Sequence, residues 1–250
     1  MKPTLKLKTT GFWLAALAAG VTNLPAQNLY VANGSGTIGE YTTAGSPVNA
    51  SLISGLGFAD GLAISGNNLY VVDSDSGTIG EYTLAGSPVN ASLISGLSSP
   101  TVLAISGNNL FVANWGGTIG AYTTAGSPVN ASLISGLQPD GLAISGNNLF
   151  VANVNSGTIG EYTLAGATVN AALITGLSAP VALAISGNNL FVANAGSGTI
   201  GEYTTAGDMV NAVLITGLNS PQSIVVTPEP GTLTLAGLGG LSVLFLRRRK

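Results

Sequence analysis

The 250 residues contain no cysteine and no histidine. That removes disulfides, zinc sites of the usual kind, thiol chemistry, and any Ser-His or Cys-His catalytic pair. Basic residues are missing from all but the ends. Lys2, Lys6, Lys8, Arg247, Arg248, Arg249 and Lys250 are the whole set. Between them lie Glu40, Asp60, Asp73, Asp75, Glu81, Asp140, Glu161, Glu202, Asp208 and Glu229 with no counter-charge. A surface without Lys or Arg cannot neutralise phosphates, so nucleic acid is excluded as a partner. A Ser-Lys catalytic pair is excluded on the same ground. Only 7% of residues are charged while 46% are hydrophobic, which suits one large all-β domain.

A repeated stretch is present instead. Ser-Gly-Asn-Asn-Leu-Phe-Val-Ala-Asn, followed by Gly-Thr-Ile-Gly-Glu-Tyr-Thr, recurs with its leucine at Leu29, Leu69, Leu110, Leu149 and Leu190. A fixed period near 40 residues marks a repeat architecture. The second copy predicts four strands. Gly61–Ser65 is followed by a tight Gly66-Asn67 turn, then by Asn68–Asp73, Thr78–Thr83 and, after Gly86-Ser87-Pro88, Ala91–Leu97. The second of these is apolar on both faces and must be covered on both sides. No segment between the ends has helical periodicity. Small sheets stacked around an axis remain, which is a five-bladed β-propeller of four-stranded repeats.

The first copy begins at its second strand, and Ser220–Thr227 matches the opening of a unit, with Pro221 placed 41 after Pro180. That segment is expected to pair with the first blade and close the ring. An open superhelical array is the alternative, at the cost of long exposed edges. Aromatic residues at Tyr30, Tyr70, Phe111, Phe150 and Phe191, and at Tyr41, Tyr82, Tyr122, Tyr162 and Tyr203, hold fixed register and read as packing between blades.

Three domains follow. Residues 1–26 read as a signal peptide: a basic start, a short apolar run over 12–21, and a cut after Ala26 by signal peptidase. Residues 27–227 are the propeller. Residues 228–250 are a tail of Pro228-Glu229-Pro230, an apolar helix able to enter a membrane, and Arg247, Arg248 and Arg249 for its cytoplasmic end. This tail resembles the PEP-CTERM sorting signal of bacteria that make extracellular polymers. The resemblance implies export, recognition of Pro228, Glu229 and Pro230 by an exosortase-type membrane protease, and a final place at the cell surface, outer envelope or outside. The repeats, through Gly-Leu-Ala-Ile followed by Asn-Leu-Phe-Val-Ala-Asn, look like NHL-type and lactonase-type propellers.

Candidate site residues come from two considerations. In a propeller, the start of the first strand and the end of the second share a face. Asp60, Asp73, Asp140, Asn114 and Asn153 therefore converge near the channel mouth, where oxygen ligands would take Ca²⁺, the one cofactor considered. The competing reading is that each Asn or Asp closes its own loop. The repeated Glu40, Glu81, Glu161 and Glu202 have like environments and read as a solvated face rather than as an acid/base pair. Departures from the repeat are the second source. Phe58, Asp60, Asp73, Asp75 and Trp115 put aromatics and acids on one sector, which suits a sugar or other neutral polymer. A structural plug at the channel mouth is the alternative for Trp115. The function expected is a non-enzymatic binding or structural module linked to extracellular polysaccharide. The alternative is a metal-dependent hydrolase of lactonase type using the acidic and amide face.

Overall fold

A Gly-Asn turn joins the first two strands of each four-stranded blade. Gly66 has φ +58°, a conformation open to glycine, and it hands the chain directly back in a two-residue hairpin. The computed structural model describes residues 28–42 and 46–224. The expected signal peptide over 1–26, residues 225–227 and the tail over 228–250 lie outside the described residues. Strands run in five antiparallel sheets. The first holds β1 (Asn28–Asn33), β2 (Thr37–Thr42) and β3 (Pro47–Ile53). The second holds β4 (Ala59–Ser65), β5 (Asn68–Asp73), β6 (Thr78–Thr83) and β7 (Pro88–Ile94). The third is β8 (Pro100–Ser106), β9 (Asn109–Asn114), β10 (Thr118–Thr123) and β11 (Pro128–Ser135). The fourth is β12 (Pro139–Ser145), β13 (Asn148–Asn153), β14 (Thr158–Thr163) and β15 (Thr168–Ile174). The fifth is β16 (Pro180–Ser186), β17 (Asn189–Asn194), β18 (Thr199–Thr204) and β19 (Met209–Ile215). The fold is an all-β, five-bladed propeller. Among the described residues no helix is long and apolar enough to cross a membrane.

The core lies between blades. Side chains alternate across each second strand, so Leu69 and Val71 face the preceding blade while Tyr70 and Val72 face the next. Ile38 and Ile53 of the first blade close on Leu69, Val71 and Tyr82 of the second. Tyr70, Val72, Ile79 and Ile94 then close on Leu103, Leu110, Val112 and Tyr122 of the third. The same set recurs between the third and fourth blades and between the fourth and fifth. Burying one such side chain is worth about 1.5–3 kcal/mol. The aromatic ladder is thus blade-to-blade packing, as the register requires.

The Gly-x-Tyr spacing of the third strand has a steric cause. A Cβ on Gly160 would lie 2.7 Å from Tyr162 Cε2, so the ring occupies the space that glycine leaves open.

The fourth strand begins earlier than the sequence suggests, at Pro88 rather than Ala91. It is an outer edge strand, where proline's missing N–H faces solvent and breaks no ladder bond. Pairing between β6 and β7 slips twice, with Glu81 opposite Asn90 and Tyr82 opposite Pro88. Asn90 Oδ1 accepts the Ser92 N–H at 3.1 Å and holds the bulge. The same bond recurs at Asn49, Asn130, Asn170 and Asn211.

The first blade differs from the rest in having three strands among the described residues, with β1 at its edge. Ser223 and Ile224 do not pair with it. Ile224 packs against Val181, Ala193 and Ile200 of the fifth blade, where a following blade's first strand would lie.

Candidate functional site

Strand β4 begins, β5 ends and β6 begins at the same end of the blade, and the pattern repeats, so the loops there form one face of the propeller. The candidates Phe58, Asp60, Asp73, Asp75 and Trp115 all belong to these loops or the strand ends beside them.

Asp73 is committed to its own blade. Its carboxylate accepts the Gly57 and Phe58 backbone N–H groups at 3.0 and 3.1 Å and the Ser76 N–H at 3.3 Å. Burial opposes its ionisation, but these backbone bonds prevail and hold its carboxyl below the usual range. Loop closure, the competing reading of this ring, is what Asp73 does. Burial pushes the neighbouring Tyr82 hydroxyl up, and the Asp73 charge adds to that. Asp75 lies across the same loop, against Gly57, and Phe58 reaches over Gly34 of the first blade.

Asp60 and Asp140 sit at matching positions in the second and fourth blades. Burial pushes both carboxyls up, and the Asp60 charge adds to the shift at Asp140. Asp60 also accepts the Ser74 hydroxyl at 3.2 Å. Thr101, between them in the third blade, has a buried hydroxyl without a partner. Asn114 and Asn153 each donate to the threonine that opens the next strand, at 3.2 and 3.5 Å, and their buried Oδ1 atoms have no partner. Of the five oxygen ligands considered for Ca²⁺, Asp73 is thus engaged by its own loop, while the Asn114 and Asn153 Oδ1 atoms accept no hydrogen bond. Among the described residues no three His, Cys, Asp or Glu side chains group closely enough to hold a metal.

The repeated glutamates correct the expectation of a solvated face. Glu81 is only 9% exposed, and Glu161 is equally buried. Each accepts the Nδ2 of the asparagine that follows the hairpin turn, Asn68 and Asn148, at 2.6 Å. They lie at the end opposite the candidate face and brace the turn. The pairing is visible in sequence only as a shared repeat position.

Trp115 stands where the other blades carry Gly34, Ser74, Val154 and Ala195, and its side chain is 50% exposed. It borders a cleft of about 990 Å³ between the third and fourth blades. The opposite wall carries Gln138, Asn155, Ser156 and Thr158, with Asn155 donating to Gln138. No charged side chain lines it. An equivalent cleft of about 540 Å³ between the first and second blades has Asp73 in its wall. The structure thus gives Trp115 a partner wall on the fourth blade. The sequence reading missed Gln138 and Asn155, whose only signal was departure from the repeat: Asn155 answers Asp75 of blade two.

Residues 226–250 match the PEP-CTERM protein-sorting motif. The motif implies export toward the cell surface and processing by an exosortase, a membrane protease. Residues 56–79 match the LVIVD repeat. No curated protein matches the chain. Among solved structures, a chain of a nidogen/laminin complex aligns over 80% of this chain and 81% of its own, at 17% identity and TM-score 0.67. A streptogramin B lyase aligns over 82% of this chain and 74% of its own, at 20% identity and TM-score 0.63. The computationally designed protein Ika8 aligns over 76% of this chain at 21% identity and TM-score 0.54, and the chain spans 61% of its length. At these identities the likeness is one of fold.

Proposed function

We propose that the chain is an exported, non-enzymatic repeat protein of the cell surface or extracellular matrix. It binds a neutral polymer, a polysaccharide, in the cleft between the third and fourth blades. The observation that carries this reading is Trp115, half exposed beside amides and hydroxyls with no charge in the lining. An aromatic face stacks on a sugar ring, while amides and hydroxyls answer its hydroxyl groups. Phe58, Asp60 and Asp75 act as further contacts on the same face, and no metal is needed. The tail holds the protein in the membrane until exosortase acts at Pro228-Glu229-Pro230.

The test is binding of the full chain, in detergent, to polysaccharide prepared from the producing cells. Wild type should be retained on the polymer, unaffected by chelator, and Trp115→Ala should elute early. Equal retention of the two proteins would overturn the reading. A second reading, hydrolysis, rests on the raised carboxyls of Asp60 and Asp140. Turnover of a lactone or ester, lost in Asp140→Asn, would favour it over binding alone.

A further inference from the structure

The two end blades are incomplete in opposite senses. At every internal junction the second-strand leucine and valine are fully buried, as Leu69, Val71, Leu190 and Val192 are at 0% exposure. Their first-blade equivalents, Leu29 and Val31, are 48% and 41% exposed. On the other side of a junction, Ile53, Ile94, Ile134 and Ile174 are buried, yet Ile215 of the fifth blade is 47% exposed. Leu214 and Leu218 beside it are exposed as well. The first blade thus presents one half of a junction and the fifth blade the other half.

The strands repeat the same relation. Ser220 has φ +47°, matching Ser99 and Ala179 at +49°, the residues that turn the chain into β8 and β16. Ile224 then packs on the fifth blade. Ser220–Ile224 holds a first strand's place in the repeat, and among the described residues no second strand lies beside it. β1 is a second strand with no first strand beside it among the described residues. The first and fifth blades share no extensive contact among the described residues.

We propose that the fifth blade of one chain receives the first blade of a second copy. What covers each face is fixed by the four junctions inside the chain, since the repeats supply the same residues at the same register. Leu29 and Val31 of the incoming copy seat against Ile200, Ile215 and Leu218. Its β1 pairs with the Ser220–Ile224 segment, and a blade of four strands results. The contact is heterologous, because each copy uses a different face, so association continues from copy to copy. This is separate from ligand binding in the cleft, which sits between the third and fourth blades.

The experiment uses the full chain in detergent, followed by mass photometry across a concentration series. Wild type should form oligomers that grow with concentration. The double variants Leu29→Asp with Val31→Asp, and Leu214→Asp with Ile215→Asp, should each stay monomeric, with association weakened about a hundredfold or more. Mixed in equal amounts, they should form dimers that grow no further, because each supplies the face that the other lacks. Each variant should melt with dilute wild type, since these side chains are exposed in the single chain. A fall in melting temperature of dilute variant would mean that the chain's own residues cover these faces, and would overturn the proposal. So would monomeric wild type at all concentrations, or variants that oligomerise as wild type does.

Discussion

Asn148 Nδ2 donates to Glu161 Oε1 at 2.6 Å, from the start of one strand to the end of its neighbour. The bond fastens the open side of the hairpin turn, and it recurs at Asn68 with Glu81 and at Asn189 with Glu202. The third blade has Ala121 in the glutamate's place, and its Asn109 is exposed. Ala121 lies opposite Phe111, as Glu161 lies opposite Phe150, so the fourth blade is a template for the missing bond. Ala121→Glu should therefore stabilise the domain by about 1 kcal/mol, read as a rise in melting temperature of about 2–4 °C. Glu161→Ala should destabilise by about 1–3 kcal/mol, since Asn148 loses its acceptor.

Gly160→Ala tests the space taken by Tyr162. In an ordinary strand interior the change favours alanine by about 0.5–1 kcal/mol. Here the new Cβ would lie 2.7 Å from the ring, and the ring is packed among the residues of the junction. The sign should reverse, with a loss of about 1–3 kcal/mol from overpacking. Gly160→Ala combined with Tyr162→Leu should recover part of it in a chemical denaturation series.

Two carboxylates of the candidate face should respond to pH in opposite ways. Asp140 is held above its ordinary range, so the folded protein grips the proton more tightly than the unfolded chain. Its favourable contribution is present below the unfolded pKa and is lost as pH rises through the folded value. Asp140→Asn should raise the melting temperature at pH 7, with the advantage fading as pH falls through about 4. Asp73 is held below its range. Its contribution is present above the unfolded pKa and is lost as pH falls through the folded value. Asp73→Asn should lower the melting temperature at pH 7 and lose that effect in acid.

Trp115→Ala should weaken polymer binding several-fold to about tenfold, from a stacking contact worth about 0.5–1.5 kcal/mol beyond area. Its melting temperature should stay near wild type, because the ring stands at a cleft mouth outside the buried clusters. Affinity electrophoresis in polymer-containing gels reads the first effect and calorimetry the second. Unfolding without a selective loss of binding would identify the ring as a structural plug.

The blades were legible because their cause is periodic. Leu69 and Tyr70 announce two buried faces by their order, and each later copy repeats the statement. The second and third strands therefore fell where the pattern put them. The fourth strand did not, because Pro88, Asn90 and Ser92 carry little hydrophobic signal, and their pairing with β6 depends on a bulge held by a side chain. Glu81 was misread for a related reason. A lone carboxylate per repeat looks solvated until the turn that brings Asn68 within 2.6 Å is known. The role of Asp73 depended on backbone N–H groups 15 and 16 residues away, which no spacing of side chains reveals.

Each blade ends in an outer strand that carries no charged side chain, from β3 to β19. Proteins commonly guard such edges with lysine or with inward-pointing charge. Here the guard is shape: proline opens the strand in three of the blades, and an asparagine-held bulge twists it out of line in all five. Any charge can be screened by salt, and a carboxylate's is removed by acid, whereas a bulge answers to neither. Resistance to sideways aggregation should therefore survive brine and acid alike, a property suited to a surface that meets whatever water the cell is in.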